Sequence, residues 1–288
     1  MSAKSGTTSS PVISLPKWEG ALHDIGEKFA PDLHTGTGNF SVPIALPPGR
    51  NGFQPQLSLA YSSDSGNGPF GLGWGLSVPG VIRQTSKGIP RYTDAQDIFT
   101  LSGAEDLLQV ERQNGVTRYR PRTESLFARI ERHRDDQNDF WKAWGNDRLI
   151  NLYGTPRPPA AGADWQDPAV VADPAKPGKI FAWKLARTQD TFGNRIDYAY
   201  ERDSGDVGPH HWDQVYLKHI RYAGYSDRGQ TKFLTSVTLQ YEDRPDAFSE
   251  YRSGFEIRTR RRCAQVEIRR RSEETRLVRT SFPTSGRT

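Results

Sequence analysis

The chain has 288 residues, with 34% hydrophobic and 11% aromatic side chains, one Cys and one Met. That length lets a chain bury about three quarters of its unfolded surface, in one or two domains, while 27 Gly and 20 Pro favour many turns and short strands and argue against a helical bundle. The net charge of +5 is local: residues 258–288 hold ten Arg and three acidic residues, so the rest is near −2 (29 Lys+Arg against 31 Asp+Glu), which gives the body no nucleic-acid footprint.

Residues 1–11 are small and polar, end in proline, and are expected to be a disordered tail. They contain no apolar signal-peptide core, and no apolar run of 18 residues exists to span a membrane. Release from the cell is therefore expected by lysis or a non-Sec route, from a cytoplasmic pool. From Phe40 onward the pattern is strand, turn, strand, which predicts an all-β fold of antiparallel hairpins in strongly twisted sheets. Phe40 to Ile44 alternates, and Pro47 to Gly52 punctuates it. Short strands are predicted over Asp97–Leu101 and Leu107–Glu111, with Asn114-Gly115 as a type I′ hairpin turn. Phe140–Trp144 and Leu149–Tyr153 flank another turn at Gly145-Asn146-Asp147.

Residues 155–179 are Pro/Ala-rich and aperiodic, and are read as a long surface loop inserted in the module. Strands resume at Ile180–Leu185, Arg195–Tyr200, Val215–Tyr222 and Thr235–Tyr241. Residues 263–279 fit a helix or, in their first half, a strand. Residues 269–288 form an Arg-rich segment expected to be the weakest-folded part, because Arg269-Arg270-Arg271 repel and Pro283 to Gly286 continue neither strand nor helix.

The most distinctive stretch is residues 52–79, GFQPQLSLAYSSDSGNGPFGLGWGLSVP. Gly66, Gly68 and Gly71 satisfy a GxGxxG pattern, but Pro69 and the further glycines Gly73 and Gly75 disfavour the helix that a phosphate cradle requires. The glycines instead allow close backbone approach around Phe70 and Trp74. This string resembles the signature of the SpvB-type N-terminal module, which opens the B components of bacterial Tc insecticidal toxin complexes and the Salmonella plasmid-virulence proteins. Ile13 to Lys17, Gly20-Ala21, Gly26 to Phe29, Thr35 to Gly38, Val42 to Ile44, Pro48 to Arg50, Leu101 to Leu107, Tyr119 to Arg122, Asp190, Gly193-Asn194 and Tyr198 to Tyr200 continue the resemblance in order. It spans residues 12–268, which are read as one β module.

The resemblance implies a non-catalytic structural module in the wall of a hollow β shell that encloses or delivers a toxic polypeptide. Its implied partners are a pore-forming A component and a cargo-carrying C component. A full B component would continue into further shell-forming repeats, so a chain ending at Thr288 reads as a truncated product, a split-gene product or an isolated module. The Asp190 to Tyr200 string also resembles one YD-type repeat unit. SpvB-type virulence proteins carry ADP-ribosyltransferase activity in a separate C-terminal domain with a Glu-x-Glu motif, and no two glutamates here are separated by one residue. No Gly-x-Ser-x-Gly, HExxH or Walker A pattern occurs either, so no catalytic residue and no cofactor are assigned.

Six histidines stand at 23, 34, 133, 210, 211 and 219. His210, His211 and Asp213 are the one local cluster of metal-ligand types, but adjacent His residues point to opposite faces of a strand, so a solvated loop before Val215 is preferred. Asp135, Asp136 and Asp139, and Asp94 with Asp97, lack calcium-loop spacing and are read as solvated turns. Trp18, Trp74, Trp141, Trp144, Trp165, Trp183 and Trp212 suit core and cross-strand packing, or sugar-stacking platforms, with Trp165 expected to be the most exposed. Glycan or host-surface binding is the alternative function. Arg258, Arg260, Arg261, Arg262 and Arg269 to Arg271 suit a polar-faced strand or a nucleic-acid contact; missing aromatic interleaving favours the strand. Cys263, in that alternating run, is read as a small buried thiol.

Overall fold

The computed structural model describes residues 28–32, 37–102, 105–122 and 127–271. Its strands are β1 (Lys28–Asp32), β2 (Thr37–Pro43), β3 (Ser58–Ser62), β4 (Asn67–Gly68), β5 (Gly71–Leu72), β6 (Trp74–Leu76), β7 (Gly80–Arg83), β8 (Phe99–Leu101), β9 (Glu105–Gln113) and β10 (Val116–Pro121). They continue as β11 (Phe127–Arg134), β12 (Asp139–Gly145), β13 (Ile150–Tyr153), β14 (Val170–Asp173), β15 (Lys176–Gln189), β16 (Arg195–Val207), β17 (His210–Asp227), β18 (Gln230–Glu250) and β19 (Ile257–Arg270). One three-residue 3₁₀ turn, Arg50–Gly52, is the only helical element among the described residues. The all-β expectation therefore holds, and every ladder between the strands of the described residues is antiparallel, with one isolated parallel bridge from Trp212 to Glu256.

Turn chemistry sets the connections. Asn114 (φ 49°) and Gly115 (φ 77°) join β9 to β10, and Arg228 (φ 51°) with Gly229 (φ 78°) joins β17 to β18. Both are left-handed pairs, the type I′ geometry that matches strand twist. The chain order β13-β12-β11-β10-β9-β8-β7-β15 closes on itself, because β15 pairs with β7 through Ala182–Lys184 and with β13 through Leu185–Gln189. A barrel of this strand number has an interior that side chains can fill. Register decides which ones: Arg83 faces Phe99, Val81 faces Leu101 and Trp183, and Arg132 faces Trp141, which faces Tyr153. With Tyr119, Ile130, Ala143 and Leu185 the apolar residues of this set make the first core, and Arg83 and Arg132 are buried among them.

Beyond the barrel, β15 continues into an open sheet of β16, β17, β18 and β19. A separate small sheet, ordered β1-β2-β3-β6, lies over it. Between them Ile44, Leu57, Leu59, Phe70 and Leu76 meet Leu217, Ile220, Tyr222, Val237, Leu239, Val266 and Ile268. The Tyr222 hydroxyl, reaching across this core, donates to the Pro47 carbonyl at 2.7 Å.

Several expectations need correction. The loop over 155–179 ends at 169: Val170–Asp173 is a strand whose Val170, Val171 and Ala172 are buried against β15. Its apolar run is too short to stand out within Pro/Ala composition, and tertiary pairing fixes it. The strand expected over Val215–Tyr222 extends through 210–227, because backbone pairing with β16 and β18 carries it into polar sequence. Arg269 and Arg270 are paired with Ser236 and Thr235 in β19, so the first half of 263–279 is strand and these two arginines are not part of a weak segment. The tail 1–11, Trp18, His23, His34 and residues 272–288 lie outside the described residues.

Within the glycine-rich stretch, Gly73 sits at φ +78°, and a Cβ there would lie 2.4 Å from a ring carbon of Tyr61. Gly73→Ala is expected to cost about 2–4 kcal/mol, left-handed strain plus overpacking, read as a lowered urea midpoint. An unchanged midpoint would show that the loop adapts freely.

Candidate functional site

A cluster of buried charges lies inside the barrel. Arg83 and Arg132 are each 1% exposed, and both guanidinium groups stack on the same rings. Arg83 lies 4.8 Å from the Phe99 centroid and 5.6 Å from Trp183, while Arg132 lies 5.1 Å and 4.9 Å from those rings. Arg83 donates to Asp97 at 2.6 Å and to the Ile180 carbonyl at 2.8 Å. Arg132 forks onto both oxygens of Asp139 at 2.7 Å and reaches Asp94 at 2.7 Å. Burial and the like charge of Arg132 lower the Arg83 pKa. Burial also works against Arg132, yet the Asp139 carboxylate raises it above the ordinary arginine value. Asp94, penalised by burial, is held below the usual carboxylate range by Arg132 and Arg134.

Asp94, Asp97 and Asp139 are thus ion-pair partners rather than the solvated turn residues expected. The pairing was invisible because Arg132 and Asp94 are separated by 38 positions. Asp135 does serve its turn, accepting the N–H groups of Gln137 and Asn138 at 2.7 and 2.8 Å.

The glycine-rich loop forms a two-rung hairpin, with Asn67 opposite Leu72 and Gly68 opposite Gly71. It presents carbonyls: Gly68 accepts from Arg244 at 3.1 Å, and Pro69 accepts the Cys263 N–H at 2.7 Å. A phosphate site needs converging N–H groups at a helix start; this loop instead clamps the middles of β18 and β19.

The cluster at 210–213 lies within β17, not in a solvated loop. Asp213 is 1% exposed. It accepts from Arg202 at 2.5 Å and from the Ala172 N–H at 2.9 Å, which ties β14 down. His210 Nδ1 and Ser249 Oγ both meet Glu256 Oε1, at 2.8 and 2.5 Å, and His211 offers Glu256 its backbone N–H at 2.9 Å. The residue types suggest a hydrolytic triad, but a serine is activated by contact with its base, and Ser249 is bonded to the carboxylate and to Arg258 instead. Among the described residues no group of three His, Cys, Asp or Glu side chains is placed to hold a metal ion. Cys263 is buried, and burial pushes its thiol up to about 11, which disfavours the nucleophilic thiolate.

Four arginines of β19 are neutralised one by one. Arg258 meets Glu256, Arg260 meets Asp203, Arg261 meets Glu201 and Arg262 meets Glu242, at 3.6, 3.3, 2.5 and 2.6 Å. The strand reading holds for 258–262. Tryptophans are mostly packed: Trp141 and Trp183 fill the barrel and Trp212 lies beneath Arg260. Trp165 is half-buried, not the exposed residue expected. Trp74 and Tyr61, 5.3 Å apart, line a shallow cavity of about 420 Å³ with Asn39, Ser41 and Ser65.

The family model described as Salmonella virulence plasmid 65kDa B protein matches residues 32–241 and 223–269. The chain belongs to the SpvB family. The mono(ADP-ribosyl)transferase SpvB of Salmonella choleraesuis (strain SC-B67) is 29% identical over 312 residues, covering 88% of this chain and 50% of that protein. The chain thus spans about half the length of the curated SpvB relatives it matches. The solved N-terminal domain of effector protein SpvB from Salmonella typhimurium strain LT2 superposes with a TM-score of 0.66 at 26% identity, over 80% of this chain and 87% of that one. The TcdB2-TccC3 crystal structure gives a TM-score of 0.72 at 28% identity, over 91% of this chain and 15% of that one.

Two predictions follow from the buried charges of this SpvB-family chain. Arg132→Met is expected to cost about 3–5 kcal/mol in urea unfolding, since it removes the buried partner of Asp94 and Asp139 and leaves them only the more exposed Arg134, whereas Arg134→Ala, at a pair 40% exposed on the arginine side, costs under about 1 kcal/mol. Equal losses would refute the barrel cluster as the dominant charge site. Asp167 accepts the Thr155 and Ala169 N–H groups at 2.6 and 2.8 Å, and burial raises its carboxyl to about 6. A folded pKa above the unfolded value favours the fold while the group is protonated, so this contribution is full below about pH 4 and lost as pH rises through about 6. Urea titrations from pH 4 to 7.5 should show the stability difference between wild type and Asp167→Asn shrinking across that window; a flat difference contradicts the assignment.

Proposed function

We propose that the chain is a non-catalytic structural module of a bacterial toxin or virulence protein, contributing to a shell that encapsulates or delivers a toxic polypeptide. The observation that carries this reading is the extent of the TcdB2-TccC3 likeness, which takes in 91% of this chain but 15% of the larger one. A unit built into a large assembly has that profile. Sheet architecture supports it too: among the described residues β19 is the last strand of the open sheet and its strand ladder is with β18 alone, and open edges ordinarily acquire partners. In this reading the transferase activity named for SpvB resides in the half of those proteins that this chain does not match. The partners are a pore-forming component and a cargo-carrying component, and the protein acts outside the cell that makes it.

Glycan binding stands as the second reading, favoured by the Trp74 and Tyr61 rings beside polar groups of the shallow cavity. The test is co-expression with pore-forming and cargo-carrying toxin components, followed by size-exclusion chromatography, alongside a glycan array. Co-elution with the toxin components, no glycan signal and no transfer of labelled ADP-ribose from NAD are expected. Strong glycan binding abolished by Trp74→Ala, without co-elution, would reverse the ranking.

A further inference from the structure

A cavity of about 690 Å³ opens where the barrel, the open sheet and the glycine-rich loop meet. Phe70, Leu76, Val78 and Ile82 form apolar walls and are half-buried, so part of each faces this space. Three tyrosines also line it, but their hydroxyls are engaged. Tyr200 donates to the Leu185 carbonyl at 2.8 Å, Tyr241 donates to the Leu217 carbonyl at 2.9 Å, and Tyr216 accepts the Arg260 and Arg261 N–H groups at 3.1 and 3.2 Å.

Lys184 is different. It stands on the outer face of the barrel wall, since its β15 neighbours Trp183 and Leu185 belong to the interior. It keeps some accessible surface, as a cavity-lining residue must, while protein surrounds its ammonium closely enough that burial lowers its pKa. No carboxylate pairs with it among the described residues, and the charge acting on it is a second cation, Arg252. An ammonium has three donors and strongly favours an anion when desolvated.

We propose that this cavity binds a small amphipathic carboxylate, its head paired with Lys184 and its apolar tail against Phe70, Val78 and Ile82. The volume suits a ligand of that size, since small-molecule sites run from about 300 to 1,000 Å³ with apolar walls and few polar groups. Head and tail are both needed: the walls supply burial, and the ammonium supplies orientation and charge selection. The glycine-rich loop contributes Pro69 and Phe70 to the wall, so its clamp on β19 also shapes the pocket.

The test is calorimetric titration of the full chain with decanoate, and with decanol as its uncharged counterpart. Saturable decanoate binding is expected, weakened about tenfold or more in Lys184→Met, and retained in Lys184→Arg. Decanol should bind both wild type and Lys184→Met equally and weakly. Thermal melts check the fold, and Lys184→Met should melt no lower than wild type because it removes an uncompensated buried cation. No saturable decanoate binding to wild type, or equal decanoate affinity in Lys184→Met and wild type, would overturn the proposal. Neither result bears on the shell reading, which is tested by association with toxin components.

Discussion

Two guanidinium groups stacked inside a closed barrel are the constraint around which the rest of the chain is arranged. Arg83 and Arg132 repel, and water is excluded from both, so each needs carboxylates and flat rings at close range. The segment between β7 and β8 brings in Asp94 and Asp97, and β12 brings in Asp139. Trp183 completes the arrangement by lying against both arginines and donating its ring N–H to the Asp139 carbonyl at 2.8 Å. Since Trp183 belongs to β15, the strand that seeds the open sheet is oriented by the same cluster.

The fold class was legible in the sequence because its signals are local. Asn114-Gly115 marks a turn whichever strands it joins, and the glycine-rich loop excludes a helix by its own composition. Cys263 could be placed in a buried row from alternation alone. What escaped was whatever depends on distant partners. Asp94 and Asp139 have the composition of turn residues, and only the folded barrel turns them towards Arg132. Val170 to Asp173 read as loop because four residues carry no periodicity; a carboxylate at Asp213 and a neighbouring strand make them structure. The polar ends of β17 and β18 were missed for the same reason, since backbone pairing needs no hydrophobic pattern.

Charge among the described residues serves cohesion. The arginines in the first half of β19, Arg258, Arg260, Arg261 and Arg262, are each matched by an acid on β16, β18 or the segment before β19. Serine, histidine and glutamate meet at Glu256, yet the carboxylate takes both hydrogen bonds that a relay would need between serine and histidine. Lys184 has no such acid beside it, and it lines the cavity at the junction of barrel, sheet and loop. The carbonyls of the glycine-rich loop meanwhile satisfy Arg244 and the β19 backbone, a role that a GxGxxG pattern does not suggest by itself.

The double membership of β15 has a mechanical consequence. Its Ala182–Lys184 and Leu185–Gln189 stretches close the barrel against β7 and β13, and Arg187–Gln189 also carries the first rungs of the open sheet through β16. Barrel and sheet therefore have no hinge between them along this strand. A pull on the sheet is transmitted to the barrel seam as shear across hydrogen bonds, and the two parts yield together or not at all.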